Sequence, residues 1–359
     1  MRNTPIKGRG ASSSPDPRFL AESREGFDDG WDAAPINGDD AVPPLATVVT
    51  EERARTIIAR NDSPDIPFSA SINPYRGCEH GCIYCYARPT HAYLDLSPGL
   101  DFETRLFAKT NAADLLRQEL RKPGYRCEWI SLGANTDPYQ PIERRLRITR
   151  GLIEVLSETE HPFAIVTKSA MVERDIDLLA PLAGKNLVEV YISITSLDNE
   201  LSRRLEPRAN APQRRVEAIR KLSAAGIPCG VMFAPVIPAL NDSHLEAVLE
   251  AAASAGARYA GYVMLRLPHE IKDLFREWLE RHAPLRAAHV MSLIRQIRDG
   301  RDNDAQFGSR MRGTGEFAAL IERRFRRACD RLGLNKSSHD LDTSRFRPPP
   351  ATGDQFSLL

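Results

Sequence analysis

Three of the chain's six cysteines fall within eight residues, as Cys78-x3-Cys82-x2-Cys85. Thiols packed that closely are first of all a ligand set, and they demand a fold that holds one tight loop still. No fourth cysteine follows nearby, so a group held by these three keeps an open coordination position. A cubane iron-sulfur cluster tolerates this, because one iron stays free for a small ligand, whereas a structural zinc site wants a closed tetrahedron. His80, inside the first gap, is the residue able to close one, although no second ligand pair follows at finger spacing. A disulfide would leave one thiol over. The spacing points to a cluster loop on Cys78, Cys82 and Cys85, with zinc as the alternative.

From residue 68 the chain alternates short β-rich runs with amphipathic helices, the signal for parallel strands joined by helical crossovers. One strand leads into the cysteine loop. The others are Trp129–Gly133, Phe163–Thr167, Val188–Ile194, Cys229–Phe233 and Tyr259–Met264, with helices expected near Ala112–Arg121, Arg144–Glu158, Gln213–Ala225 and Leu245–Ala255. The last two helices end at Gly226 and Gly256, the residue type that accommodates a left-handed C-cap. Six units make an α/β fold of the partial (βα)6 TIM-like barrel type, expected over 68–283. Before it, residues 1–67 are rich in Gly, Ser, Asp and Pro and read as an irregular extension, with Arg18-Phe19 and Trp31 able to dock on the barrel. After it, 284–333 reads as a helical extension and 334–359 as a disordered tail containing Pro348-Pro-Pro350.

A formal net charge of +1 favours neither a nucleic-acid nor a membrane partner. The first residues lack the apolar core of a signal peptide, and no window is apolar enough to span a bilayer, so a cytoplasmic protein with no membrane partner is expected.

The motif Cys-x3-Cys-x-aromatic-Cys, with Tyr84 as the aromatic, resembles the signature of radical S-adenosylmethionine (SAM) enzymes. Asn73-Pro-Tyr-Arg-Gly-Cys78, Cys85-Tyr-Ala-Arg88 and Thr136-Asp-Pro-Tyr-Gln-Pro141 are similar, more narrowly, to the spore-photoproduct-lyase-like "DNA repair photolyase" branch, over about residues 65–332. The resemblance implies a 4Fe-4S cluster on the three cysteines at the C-terminal ends of the strands. It implies SAM on the open iron, reductive cleavage to a 5′-deoxyadenosyl radical, and a reductant such as flavodoxin or ferredoxin. It implies SAM contacts for Tyr84 and for residues at the strand ends. Asp137 and Thr136 would suit the cofactor's ammonium, Lys168 or Arg208 its carboxylate, Ser193 and Thr195 a ribose, and the proline-stiffened loop around Val236 the adenine. The alternatives are an ordinary polar turn at 136–137, a rigid rim at 234–238, and solvated helix faces for Arg203, Arg204, Arg214 and Arg215. Spore photoproduct lyases carry a hydrogen-donating cysteine where Ala134 and Asn135 stand here, which puts thymine-dimer repair in doubt; Cys127, at the other end of that strand, is the remaining candidate catalytic cysteine.

Gly313-Thr-Gly315 follows no strand and reads as a turn before a helix, and the arginines between Arg310 and Arg331 read as a solvated basic face or a phosphate-binding patch. The terminal Gln355, Phe356, Ser357, Leu358 and Leu359 resemble the short peptides by which bacterial repair proteins bind the sliding clamp. The expected function is radical SAM chemistry, with DNA or another nucleic acid as a candidate substrate. Alternatives are the same chemistry on a small molecule or protein, or a non-catalytic, zinc-stabilised nucleic-acid-binding module.

Overall fold

The computed structural model describes residues 6–20, 45–337 and 340–350. In chain order the elements up to the second crossover are β1 (Val48–Glu52), β2 (Ile58–Arg60), β3 (Ala70–Ile72), β4 (Tyr75–Arg76), α1 (Leu100–Thr104), β5 (Arg105–Lys109), α2 (Ala112–Leu120), β6 (Ile130–Leu132), α3 (Glu143–Leu146) and α4 (Ile148–Glu158). There follow β7 (Phe163–Thr167), α5 (Ile176–Ala183), β8 (Val188–Ser193), α6 (Asn199–Leu205), α7 (Pro212–Ala224), β9 (Cys229–Val236), α8 (Leu245–Ser254), β10 (Tyr259–Met264), α9 (Ile271–His282), α10 (Pro284–Gln296) and α11 (Gly315–Leu332).

The main sheet runs β10-β9-β8-β7-β6-β3-β2, parallel from β3 to β10, with β2 antiparallel at one edge. This is the partial (βα)6 type of α/β architecture expected from the six apolar runs, and it is open: β10 and β2 remain edges. The central strands are nearly all apolar because helices cover one face and the barrel interior fills the other. Along β10, Met264 N donates to Met311 O at 2.9 Å, and Arg310 of the same segment pairs with Asp65, from the stretch between β2 and β3. The C-terminal segment thereby joins the two sides of the open sheet.

Two expectations need revision. The helix expected over 144–158 is broken at Arg147, whose φ of 53° ends α3 and starts α4. The stretch read as irregular contains β1 and β2; β1 pairs parallel with β5 in a small sheet of order β1-β5-β4, whose long-range pairing leaves no local periodicity to read. Arg18 Nη1 reaches Glu270 at 3.1 Å and Phe19 packs on Tyr93, so that pair does dock; Trp31 lies outside the described residues, as do Gln355–Leu359. Among the described residues no helix is long and apolar enough to cross a membrane.

Candidate cluster-binding site at the strand ends

The cysteine loop leaves β3 and β4 through Gly77 and turns again at Gly81, with φ of 78° and 68°. At Gly77 a side chain would also collide, since a Cβ would lie 2.8 Å from Phe102 O and 2.9 Å from the His91 ring. Short turns then carry the cysteines: Gly81 N donates to Cys78 O, Cys85 N to Cys82 O at 3.2 Å, and Arg88 N to Cys85 O at 3.1 Å.

Side chains fix this loop from two directions. Arg88, fully buried, donates through Nε to Cys82 O at 2.9 Å and through Nη2 to Gly81 O at 3.1 Å, and it pairs with the buried Glu103. Glu103 in turn accepts from Gly10 N at 2.9 Å and Ala11 N at 2.8 Å, which binds the N-terminal segment to the loop. From the β6 side, Thr136 Oγ1 donates to Gly77 O at 2.7 Å, and Gln140 donates to Gly77 O at 3.2 Å while accepting from Glu79 N at 2.9 Å. With the carbonyls of Gly77, Gly81 and Cys82 so engaged, the sulfurs are left as the loop's donors.

Burial pushes the Cys78 thiol well above its ordinary range, with Asp137 and the other two cysteines adding to it; burial likewise takes Cys82 up to about 12 against the pull of Lys168. Thiols in this condition hold their protons until a cation replaces them. Lys168, at the end of β7, keeps its charge. Burial opposes the charge, but the Cys82 sulfur, once it is ionised, and the Glu206 carboxylate raise its affinity for the proton. Its ammonium stands 5.8 Å from the centre of the Tyr84 ring and makes no hydrogen bond among the described residues. Glu206 is fully enclosed, accepts from Tyr84 and from Thr195 Oγ1 at 3.0 Å, and pairs with Arg215. Burial would protonate it, but Arg215 and Lys168 hold its carboxyl below the usual range.

Lys168, Tyr84, Thr195 and the cysteines therefore converge. Thr136 and Asp137 come to the same place but are occupied. Asp137 accepts from Thr167 Oγ1 at 2.6 Å, Tyr139 N at 2.9 Å and Lys168 N at 2.7 Å. Its neighbour His80 stands 3.2 Å away through Nδ1, out of line for a hydrogen bond. Against the cost of burial, the neighbouring His80 first, then Thr167 Oγ1 and the Lys168 amide, hold the Asp137 carboxyl at about 2. Ser193 is buried and its carbonyl accepts from Arg215 at 3.0 Å; Arg208 pairs with Glu79 of the cysteine loop at 3.1 Å; Val236 is packed in the core. Cys127 precedes β6 at its N-terminal end, a strand length away from the loop, which follows the C-terminal ends.

Sequence reasoning missed Glu103, Glu206, Arg215, Gln140 and Asn241. The last pins the loop after β9 by donating to Thr195 O at 2.8 Å and Pro235 O at 3.0 Å. Arg215, taken for a solvated residue, is buried. The signal was present: with Ala218, Ile219 and Leu222 it occupies the i, i+3, i+4, i+7 stripe of α7.

Among the described residues, no three His, Cys, Asp or Glu side chains gather into the ligand shell of a single ion. With His80 turned to Asp137, nothing in this geometry favours a closed zinc tetrahedron. The donor set suits a larger iron-sulfur group: three thiols from one loop, loop carbonyls already bound, and one cation beside Cys82.

The family model described as Radical SAM superfamily matches residues 72–252. An uncharacterized protein of Mycobacterium tuberculosis is 42% identical over 233 residues, covering 64% of this chain and 68% of its own length. One from Methanocaldococcus jannaschii is 27% identical over 214 residues, 59% of this chain and 76% of its own. Spore photoproduct lyase complexed with dinucleoside spore photoproduct shares the fold with a TM-score of 0.58 at 17% identity, over 80% of each chain.

Proposed function

The chain belongs to the Radical SAM superfamily, and on that premise we propose that it cleaves SAM reductively and acts by hydrogen abstraction on a nucleic-acid substrate. The family implies SAM and an iron-sulfur cluster. We assign a 4Fe-4S cluster to Cys78, Cys82 and Cys85. Held there, such a cluster would supply the electron for reductive cleavage of SAM. The chain's own residues do the holding. Arg88, Thr136 and Gln140 fix the loop, and Lys168 offers a carboxylate its ammonium. Thr195 and Tyr84, set by Glu206, form the wall beside it. An electron donor such as flavodoxin or ferredoxin would supply that electron to the cluster beforehand.

The observation that carries this reading is the Lys168 ammonium, charged, without a hydrogen bond and beside Cys82, where an anionic cofactor group would find it. The likeness of fold to a lyase solved with a dinucleoside lesion supports the substrate class. Ala134 and Asn135 set the outcome apart from repair by a cysteine at that point; the carbonyl of Ala134 instead accepts from Tyr86.

The test is anaerobic reconstitution, addition of SAM and dithionite, and quantification of 5′-deoxyadenosine with and without oligonucleotides. Formation that depends on all three cysteines is expected. A cluster-loaded protein that yields none under either condition overturns the reading.

A further inference from the structure

Arg266 lies two residues past β10, at the same end of the sheet as the cysteine loop. Its guanidinium carbon stands 5.7 Å from the centre of the Tyr86 ring, and Tyr86 directly follows Cys85. The guanidinium is partly buried, yet its one hydrogen-bond contact among the described residues is Nη1 to the Met311 sulfur at 3.7 Å, and its Nε has no partner. A thioether is a weak acceptor for a cation.

The neighbouring arginines show what a structural role looks like. Arg298, also buried, donates to the carbonyls of Leu265 at 2.7 Å and Ser309 at 3.1 Å. Arg310 is matched by Asp65, whose other oxygen accepts from Gly308 N at 2.6 Å. Asp65 is thus already committed. Arg298, also without a carboxylate and with its own Nε unpartnered, is at least held by carbonyls, whereas Arg266 has no oxygen acceptor among the described residues. Burial and the like charge of Arg310 both press it toward losing its proton, against the attraction of Tyr86 and Asp65. A cation left in this state is costly unless an anion completes it.

Two exposed aromatic rings flank the spot. Tyr86 is 49% exposed beneath Arg266, and Phe307 is 59% exposed with the Arg310 guanidinium 4.5 Å from its centre. Guanidinium and open ring side by side suit a strand whose phosphates alternate with unstacked bases.

We infer that Arg266 is a substrate-binding residue, taking a backbone phosphate of a single-stranded or locally opened nucleic acid and presenting the adjoining nucleotide to the cysteine loop, with Phe307 as a stacking face. This rests on the nucleic-acid reading above and names the residue that would discriminate for it.

The experiment is fluorescence anisotropy on the full-length, cluster-loaded protein, using a labelled oligothymidylate of roughly a dozen nucleotides over a range of salt concentrations. Arg266→Gln is expected to weaken binding about tenfold and to reduce the salt slope by about 0.7, the loss of one phosphate contact. Arg266→Lys should regain the slope, and Phe307→Ala should weaken binding about tenfold while leaving the slope unchanged. Arg220→Gln, on the exposed face of α7 where it pairs with Glu217, should change nothing. Equal affinity and slope for wild type and Arg266→Gln, or no oligonucleotide binding by wild type, overturns the inference. SAM cleavage by the same wild-type sample is scored separately, so either result leaves the reductive-cleavage reading standing on its own measurement.

Discussion

Replacing Arg88 by Gln tests whether the cysteine loop is held by one buried guanidinium. Arg88 donates to the carbonyls of Gly81, Cys82, Pro98 and Gly99 at 2.9–3.2 Å and to Glu103. Counted singly, bonds to a charged donor at about 1.5–3 kcal/mol each would total more than a protein of this kind can lose, because the carbonyls partly find other partners. The better guide is the stranding of Glu103, which sits in the interior and, among the described residues, keeps only the Gly10 and Ala11 amides for its carboxylate. Removing one partner of a buried pair costs about 3–5 kcal/mol. The metal-free protein should therefore unfold at lower denaturant by that amount, read from an anaerobic urea titration. Iron and sulfide after reconstitution should fall well below the wild-type level. The double variant Arg88→Met/Glu103→Leu should recover part of the stability, because neither charge is then stranded. If Arg88→Gln stays within about 0.5 kcal/mol of wild type and takes up full iron, the loop is held by something else.

Three further outcomes are expected. In Gly10→Val the new Cβ would lie 1.8 Å from Gly81 O, so the N-terminal segment must lift from the loop; faster loss of iron in air, followed by absorbance, checks this, and an unchanged rate refutes it. Cys82→Ala should abolish cluster uptake while circular dichroism and melting change little, since the loop lies outside the main core; full iron content counts against the ligand assignment. Burial raises the Glu189 carboxyl from 4.5 to about 7, so the folded state favours its protonated form, and that stabilisation is complete below about 4.5 and lost as the pH rises through 7. Relative to wild type, Glu189→Gln should gain on the order of 3 kcal/mol at most between pH 4.5 and 8; a pH-independent difference refutes the shift.

What the sequence made legible was periodic or local. Apolar runs such as Phe163–Thr167 and Val188–Ser193 announce buried parallel strands, and the three cysteines announce a ligand loop, because both signals lie within a few residues. What it hid was made by distance. Glu103 reaches back to Gly10 and Ala11 across some ninety positions, and β1 finds β5 across more than fifty; neither leaves a mark on its own neighbourhood. The motif Thr136-Asp-Pro-Tyr-Gln-Pro141 was noticed for the cofactor, yet in the structure Thr136 and Gln140 bind the loop backbone and Asp137 binds the start of the next turn. Arg208, which the resemblance offers to the cofactor carboxylate, pairs with Glu79 instead, while two residues earlier Glu206 is the buried member.

These long-range pairs explain why so many charges are enclosed around one loop. Apolar replacements would often be as stable as Arg88–Glu103 or Arg215–Glu206, but packing alone does not fix where a carbonyl or a tyrosine hydroxyl points. Arg88 orients Gly81 and Cys82, Glu206 orients Tyr84 and Thr195, and Asp137 orients Thr167 and the Lys168 amide. Arg88 and Arg215 each have their carboxylate, and the charges of Lys168 and Asp137 balance, so this network is close to neutral. Lys168 shares Glu206 with Arg215 and meets Asp137 only through its backbone, which leaves its ammonium without a hydrogen bond among the described residues, next to Cys82. A loop destined to carry thiolates needs a rigid frame and one uncommitted cation, and the arrangement supplies both.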